Sequence, residues 1–300
     1  MIRIAAATLA ALLLALPVAP ASADSDIQFV TIRTVFERIA VARTVTLAAY
    51  SLAPGSRIVS TLVTAADRGA RVSVQLGSGA FGANAKDNAE TTVLLLQHHI
   101  EVHGSPTRSH IKAVSIDGAL FLSDRNFASR EAEGIVVLDS LPGDRTLVER
   151  SLLGSPGQND HLATRKDLAL AMEARVIAAR ASRTVSVSTE SFGAGTPVFE
   201  ALLTRRRAGD GVRLMVAKSE YNSSRPDQQA VAVLRAAGAE VRISEANEKY
   251  VVDGANIWFG SANQTRGLGD MVDFGIAEVD AVIAAQLASQ FEIEWAKATQ

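Results

Sequence analysis

Residues 109–133 read SHIKAVSIDGALFLSDRNFASREAE. His110 and Lys112 are separated by one residue, so on an extended strand both side chains point to one face and can contact the same ligand. Asp117 and Gly118 then give a turn signal, and the apolar run after them can return as the second strand of a hairpin. The stretch therefore predicts a β-hairpin that carries a histidine and a lysine at one end.

A second copy of this pattern occurs further along the chain. Asp253, like Asp117, is followed by a glycine and an apolar run. Each apolar run ends in polar side chains, which are Asp124 and Asn126 in the first copy and Ser261 and Asn263 in the second. Two similar hairpins are therefore predicted.

The repetition extends upstream of the hairpins. Residues 43–74 align without a gap onto residues 183–214, so that Ser51 meets Ser191 and Gly69 meets Gly209. A repeat of this kind indicates that one supersecondary unit has been used twice.

Helical and strand periods alternate within each unit. In the first unit the predicted helices cover 30–42, 57–68 and 88–98, and the predicted strands cover 45–49, 72–76, 100–103 and 134–138. In the second unit the helices cover 168–181, 197–207 and 228–237, and the strands cover 185–189, 212–217 and 239–243. This alternation predicts an α/β fold of two repeated units with mixed sheets. Residues 142–160 are predicted to be a connector, and residues 281–300 a closing helix.

The N-terminal residues 1–23 predict a secretory signal peptide. Arg3 precedes an apolar run that is too short to cross a membrane, and Ala21-Ser22-Ala23 matches a cleavage site. We expect cleavage after Ala23 and a periplasmic or secreted protein. The chain then divides into a first repeat at 24–155 and a second at 156–300.

Composition limits the classes of partner. The chain is 48% hydrophobic with a formal net charge of −2, which argues against a general electrostatic hold on nucleic acid or anionic membranes. It has no cysteine, so disulfides, thiolate metal sites and cysteine nucleophiles are excluded. The run Arg205-Arg206-Arg207 is interpreted as a solvated helix face.

The spacing of His110, Lys112 and Asp117 resembles the HxKxxxxD signature of the phospholipase D superfamily of phosphodiesterases. The resemblance implies two α/β units packed face to face about a pseudo-twofold axis, with one active site at their junction. It also implies a reaction without metal or cofactor, in which His110 attacks phosphorus and forms a phosphohistidine. A monomer is expected, because the duplication already supplies both halves.

The resemblance also implies roles for the other residues. Lys112 and Asn126 would hold the phosphate from the first half, and Ser261 and Asn263 from the second. Glu133 matches the position whose carboxylate orients the nucleophilic histidine. Asp117 would stabilise the hairpin more than take part in the reaction.

The second half departs from the signature. Counting back from Asp253 places Ala246 at the histidine position and Glu248 at the lysine position. Lys249 is one residue out of register and is interpreted as a solvated lysine at a strand start, unless a bulge re-aims it. Asp273 is the repeat mate of Glu133 and is expected to have no histidine to orient.

The missing histidine leaves three readings open. Another group donates the proton, the candidates being Glu248, Glu190, Glu245 and His103. Alternatively, the enzyme cleaves only esters with good leaving groups, or the site binds a phosphate-bearing ligand without turnover. The sequence favours a phospholipid-type phosphodiester over nucleic acid as substrate. A nuclease of the same superfamily is a further alternative. No Asp/His cluster has metal-site spacing, and His161 is placed in the connector.

Overall fold

The computed structural model describes residues 27–78, 82–127 and 135–299. The predicted signal peptide lies outside this part of the chain, as does Glu133. The first half forms a seven-stranded sheet with the order β1-β7-β6-β5-β2-β3-β4. Its strands are β1 (Ile27–Val30), β2 (Thr44–Ala49), β3 (Arg71–Ser78), β4 (Glu101–Arg108), β5 (Ala113–Ile116), β6 (Ala119–Ser123) and β7 (Val136–Asp139). Its helices are α1 (Ile32–Val41), α2 (Arg57–Asp67), α3 (Ala83–Gln97) and α4 (Pro142–Leu152).

The second half forms another seven-stranded sheet, with the order β11-β10-β9-β12-β13-β14-β8. Its strands are β8 (Leu162–Ala163), β9 (Thr184–Thr189), β10 (Gly211–Ala217), β11 (Glu240–Ser244), β12 (Tyr250–Asp253), β13 (Asn256–Gly260) and β14 (Gly275–Val279). Its helices are α5 (Lys166–Ala178), α6 (Pro197–Arg207), α7 (Lys218–Ser223), α8 (Arg225–Ala236) and α9 (Ala281–Lys297). Read in reverse, this strand order matches that of the first sheet strand for strand.

Both sheets are mixed. In each, the first two repeat strands pair in parallel, β2 with β3 and β9 with β10, and the hairpin strands pair antiparallel beside them. Parallel pairs need helical crossovers, and α2 and α6 supply them. The predicted α/β class with two repeated mixed sheets is confirmed.

Hydrophobic clusters within and between the halves hold the molecule together. One cluster lies under the helices of each half, and another combines buried residues from both sheets, including Ile111 and Val137 from the first half and Tyr250 and Phe274 from the second. The two sheets therefore pack face to face through an apolar layer.

The predicted connector contains a helix, and the interpretation of Arg205 as a solvated residue is wrong. The predicted connector begins with helix α4, whose proline occupies the first turn, where its missing N–H costs no hydrogen bond. Val148 and Leu152 of that helix are buried in the layer between the sheets. Arg205, interpreted as part of a solvated helix face, is 2% exposed and forms ion pairs with Asp210 and Asp253.

Among the described helices, none is long and apolar enough to span a bilayer.

Candidate active site

His110 lies where the two halves meet. It stands between β4 and β5, and its backbone N–H donates to the carbonyl of Val272 in the second half at 2.7 Å. The N–H of Val272 donates in turn to the carbonyl of Arg108 at 2.9 Å, and Ser109 forms a parallel β-bridge with Val272. The end of the first hairpin is therefore fixed to the second half by backbone hydrogen bonds.

The imidazole of His110 is oriented by a carboxylate from the opposite half. Its Nδ1 lies 2.9 Å from Oδ1 of Asp273, and the same oxygen accepts a hydrogen bond of 2.7 Å from Ser261 Oγ. Ser261 and Asp273 are fully buried. An ionised carboxylate on Nδ1 keeps the proton there and leaves the lone pair on Nε2.

The expectation that Asp273 has no histidine to orient is therefore wrong. The sequence alignment paired His110 with an acid of its own half, whereas in the fold the carboxylate that contacts His110 comes from the other half. In the described part of the chain, Asp273 is the carboxylate that contacts His110 Nδ1.

Burial and charge shift the pKa values of both members of this pair. Burial, assisted by the positive charge of Lys112, lowers the pKa of His110, although Asp273 opposes the shift. Burial by itself would raise the pKa of Asp273, but the charge of His110 and its hydrogen bond bring this pKa below the ordinary value. At neutral pH the site therefore holds a neutral imidazole against an ionised carboxylate.

Lys112 contacts the ring nitrogens of the imidazole. Its Nζ lies 2.8 Å from Nε2 and 3.0 Å from Nδ1 of His110. The side chain is buried, and burial together with the charge of Lys249 lowers the pKa of Lys112 to about 7. This ammonium is placed where a phosphate oxygen beside Nε2 would be held.

Lys249 is the structural counterpart of Lys112. The carbonyl of Lys112 accepts a hydrogen bond from Ser123 N at 2.9 Å, and the carbonyl of Lys249 accepts the matching bond from Gly260 N at 3.2 Å. The two lysines are as far apart in the sequence as Ser123 and Gly260 are. The alignment on Asp253 is therefore shifted by one residue, because Asp117 is the first residue of its turn whereas Asp253 is the last paired residue before its turn.

The interpretation of Lys249 as a solvated lysine is also wrong. The side chain is 3% exposed, and its Nζ forms an ion pair of 2.8 Å with Glu190. Lys249 Nζ also donates to the carbonyl of Asp124, in the first half, at 3.3 Å. A second lysine therefore reaches the junction at the place that a second HxK signature would give it.

Glu190 cannot serve as the proton donor for which it was a candidate. Its burial alone would raise the pKa, but the charge and hydrogen bond of Lys249 lower the pKa of Glu190 to about 2. The group is therefore ionised at neutral pH and balances the lysine. Its repeat mate in the first half is Tyr50, whose ring stands edge-on to His110 with centroids 5.1 Å apart.

Glu248 does not occupy the lysine position that the sequence alignment gave it. It forms an ion pair of 2.9 Å with Arg125. Arg125 follows Asp124, whose carboxylate accepts hydrogen bonds from Ile135 N and from Lys249 N. Burial raises the pKa of Asp124 to about 6, against the opposing charges of Lys249 and Arg125.

Two other candidate donors lie away from the junction. His103 is exposed on β4, an edge strand, with Nε2 3.7 Å from a carboxylate oxygen of Glu101. Glu245 is exposed and forms an ion pair with Lys218. Neither can donate a proton at His110, because β4 runs along the outer edge of its sheet and Glu245 faces solvent.

The asparagines follow the second strand of each hairpin, as predicted. Asn126 Nδ2 donates to Ser51 Oγ at 3.1 Å, so this amide is held beside the end of β2. Asn263 is its counterpart, in the same register that relates Lys112 to Lys249. The Oδ1 of Asn263 is buried and has no hydrogen-bond partner among the described residues. These placements keep both asparagines as candidate phosphate ligands.

Asp117 sits at the turn end of its hairpin, opposite the end that carries His110. Its carboxylate accepts hydrogen bonds from the backbone N–H groups of Arg43 and Thr44 at 3.0 and 2.8 Å. With Gly118 it forms a tight turn in which both φ angles are positive, 49° and 94°. Asp117 therefore stabilises the hairpin and does not contact the reacting groups.

One Asp/His cluster has no signal in the sequence. Among the described residues, ligand atoms of Asp139, Asp144 and His161 lie within 4.8 Å of one another, an arrangement that could hold a metal ion. These residues come from β7, α4 and the connector, so no short spacing reveals them. Asp139 pairs with Leu120 at the turn end of the hairpin, away from His110. The cluster is therefore separate from the His110 site.

No protein-family model matches the chain, and no curated protein matches it. Solved structures do. Polyphosphate kinase from Porphyromonas gingivalis superposes on 90% of this chain with a TM-score of 0.64 and 17% identity. That match covers 47% of the kinase, so this chain spans about half its length.

Phosphatidylserine synthase from Haemophilus influenzae Rd KW20 superposes on 88% of this chain and 85% of its own, with a TM-score of 0.64 and 12% identity. Nuc from Salmonella typhimurium, a phospholipase D family member, superposes on 42% of this chain and 86% of its own, with a TM-score of 0.39 and 16% identity. At these identities the likeness concerns the fold. The chain therefore shares its fold with this kinase and this synthase over about nine tenths of its length.

Proposed function

We propose that the protein is a metal-independent phosphodiester-cleaving enzyme of phospholipase D type, in which His110 is the nucleophile. The observation that supports this best is the contact of His110 Nδ1 with Asp273, while Lys112 Nζ lies beside Nε2. A carboxylate, an imidazole and an ammonium in this order are the parts that nucleophilic attack on phosphorus requires.

In the first step, the Nε2 lone pair of His110 forms a bond to phosphorus. The bond from phosphorus to the leaving oxygen breaks, and its electron pair departs on that oxygen. Lys112 and Lys249 stabilise the charge on the non-bridging oxygens, and the Nδ1 proton stays hydrogen-bonded to Asp273. In the second step, a water oxygen attacks phosphorus and gives up one proton to solvent, the N–P bond breaks and its electron pair returns to Nε2, and the departed oxygen takes up a proton from solvent.

The charges around the site support a substrate with few phosphate groups. Lys249 is paired with Glu190 and Arg125 with Glu248, while Lys112 adds one further cation. A polyanionic nucleic acid would need a larger unpaired positive surface. We therefore favour a phospholipid-type substrate, and we propose that the N-terminal segment directs the protein out of the cytoplasm.

The test uses an activated aryl phosphodiester, bis(nitrophenyl) phosphate, with wild type, His110→Ala and His103→Ala. His103 is a matched control, since it is a histidine of the same sheet that lies outside the site. We expect His110→Ala to lose at least about 10³-fold in kcat, by analogy with loss of a covalent nucleophile, and His103→Ala to retain wild-type activity. Equal activity of wild type and His110→Ala would contradict the proposal.

A second measurement separates catalysis from binding. Brief incubation with a radiolabelled phosphodiester, followed by denaturation, should trap an acid-labile phosphohistidine in wild type and none in His110→Ala. A wild type that forms no adduct and no product but binds inorganic phosphate would support the alternative function, a phosphate-ligand-binding protein. Parallel assays with phospholipid vesicles and single-stranded DNA distinguish a phospholipid-cleaving enzyme from a nuclease.

A further inference from the structure

The strand ladder identifies the residue that stands in place of a second histidine. In the first half, the histidine is two positions before the lysine whose carbonyl accepts from β6. Counting back two positions from Lys249, the counterpart of Lys112, gives Asn247. The residue that replaces the histidine is therefore an asparagine and not the neighbouring alanine.

Asn247 has a polar group that nothing in the described structure uses. Its Oδ1 is buried and has no hydrogen-bond partner among the described residues. A buried amide end without a partner is destabilising, and a ligand that supplies the partner removes this cost. Because the two ends of an amide exchange by a flip, the same position can offer either an acceptor or an N–H donor.

We propose that Asn247 faces the leaving group and restricts the enzyme to substrates whose leaving oxygen is weakly basic, with phosphoanhydrides as the biological class. This inference rests on the proposed function of His110. An amide N–H can hydrogen-bond the departing oxygen, but it has no proton to transfer. An alkoxide therefore leaves poorly, whereas a phosphate departs as a stable anion without protonation. A lipid whose phosphate is joined through a diphosphate bridge would meet this requirement.

The neighbouring groups do not supply the missing proton. In-line displacement places the leaving group opposite the nucleophile, whereas Lys112 Nζ is beside His110 Nε2 and so on the nucleophile's side. Glu190 is ionised by Lys249, and Glu248 is paired with Arg125. In the described segment before β12, Asn247 stands at the position of the histidine and Lys249 at the position of the lysine.

The first test compares two leaving groups on the same phosphoryl group. Dimethyl diphosphate and dimethyl phosphate both present a methyl phosphoryl group, but one releases methyl phosphate and the other methoxide. We expect wild type to cleave the diphosphate at least about 10²-fold faster in kcat/KM, the contribution typical of a general acid, after correction for the uncatalysed rates. Equal corrected rates would overturn the inference without touching the role of His110.

The second test restores the missing histidine. Asn247→His should raise the ratio of methyl to nitrophenyl ester cleavage by about 10²-fold and add a new limb to the pH profile of kcat. Ala246→His is the matched control, one residue out of register, and should leave this ratio unchanged. A gain from Ala246→His, or none from either variant while the phosphohistidine still forms, would overturn the assignment. Thermal unfolding of each variant checks that it folds.

Discussion

One carboxylate oxygen, Oδ1 of Asp273, contacts both the imidazole of His110 and the hydroxyl of Ser261. Its position is determined by the backbone of the second half, since Ser261 Oγ also accepts from Phe274 N at 3.0 Å. The orientation of the His110 ring therefore depends on a residue that is distant in the sequence and belongs to the other repeat.

Replacing this carboxylate by an amide should impair the imidazole without unfolding the chain. Asp273→Asn removes the charge that holds the proton on Nδ1, and we expect kcat to fall by about 10³-fold. The acid limb of the pH profile should also move to lower pH, because Asp273 raises the pKa of His110. Ser261→Ala keeps the carboxylate and should cost much less. An unshifted acid limb would show that Asp273 has only a structural role.

The pKa values of His110 and Lys112 predict a bell-shaped pH profile of kcat/KM. On the acid side, activity should fall where His110 becomes protonated, below the ordinary histidine pKa because burial and Lys112 lower it. On the alkaline side, activity should fall as Lys112, with its pKa of about 7, loses the charge that holds the phosphate. Rates measured from about pH 5 to 9 test this.

Lys112→Arg distinguishes the origin of the alkaline limb. Arginine stays protonated throughout the range, so the limb should disappear even if the maximal rate is lower. If the limb persists unchanged in this variant, a different group is responsible for it.

At the scale of single elements, the hairpin turns offer a matched pair of aspartates. Asp253 accepts from Ala181 N and Ser182 N, as Asp117 accepts from Arg43 N and Thr44 N. The difference is that Asp253 is fully buried and also receives a hydrogen bond of 2.8 Å from Arg205, which is 2% exposed.

Asp253→Asn should therefore destabilise the chain more than Asp117→Asn. Removing one partner leaves the buried Arg205 with less compensation, and we expect the free energy of unfolding to fall by about 3 kcal/mol. Asp117 forms its hydrogen bonds at an exposed turn, so its variant should lose less. Urea unfolding of both variants measures the difference, and equal losses would mean that Arg205 is satisfied by Asp210 alone.

The hairpins also show which features of the structure can be predicted from the sequence and which cannot. Asp117-Gly118 predicts a turn because few other residue pairs tolerate two positive φ angles. In the second hairpin Asp253 is the last paired residue before the turn at Gly254-Ala255, whereas Asp117 is the first residue of its turn, and an alignment on the aspartates cannot detect this shift. Aligning the apolar strand residues 113–116 with 250–253 identifies Lys249 instead. Contacts across the junction, such as that of Asp273, have no local signal at all.

At the scale of the whole molecule, the connector joins the halves through a buried ionic cluster. Asp139 ends β7, Asp144 lies in the first turn of α4, and His161 precedes β8. His161 forms ion pairs with Asp144 and, at 3.4 Å, with Glu278 of the second sheet. The cluster therefore links both sheets and the helix between them.

This cluster predicts how stability depends on pH. Burial, together with the charge of Asp144, raises the pKa of Asp139 to about 7. Burial alone would lower the pKa of His161, but the hydrogen bond and charge of Asp144 raise it. Both groups bind protons more strongly when folded, so their contribution is present at low pH. This stabilising contribution is lost as the pH rises from the pKa values of the unfolded state through those of the folded state.

Asp139→Asn mimics the protonated carboxyl at all pH values. Its melting temperature should therefore rise relative to wild type as the pH is raised from about 5 to 8. Thermal unfolding at several pH values tests this. A constant difference between variant and wild type would show that Asp139 does not titrate in this range.

The backbone bridge between Ser109 and Val272 has a further consequence. If the two units were separate copies of one chain, each substitution would change both sides of the junction at the same time. Joined in one polypeptide, each side can change alone, as Tyr50 and Glu190 have done at equivalent places.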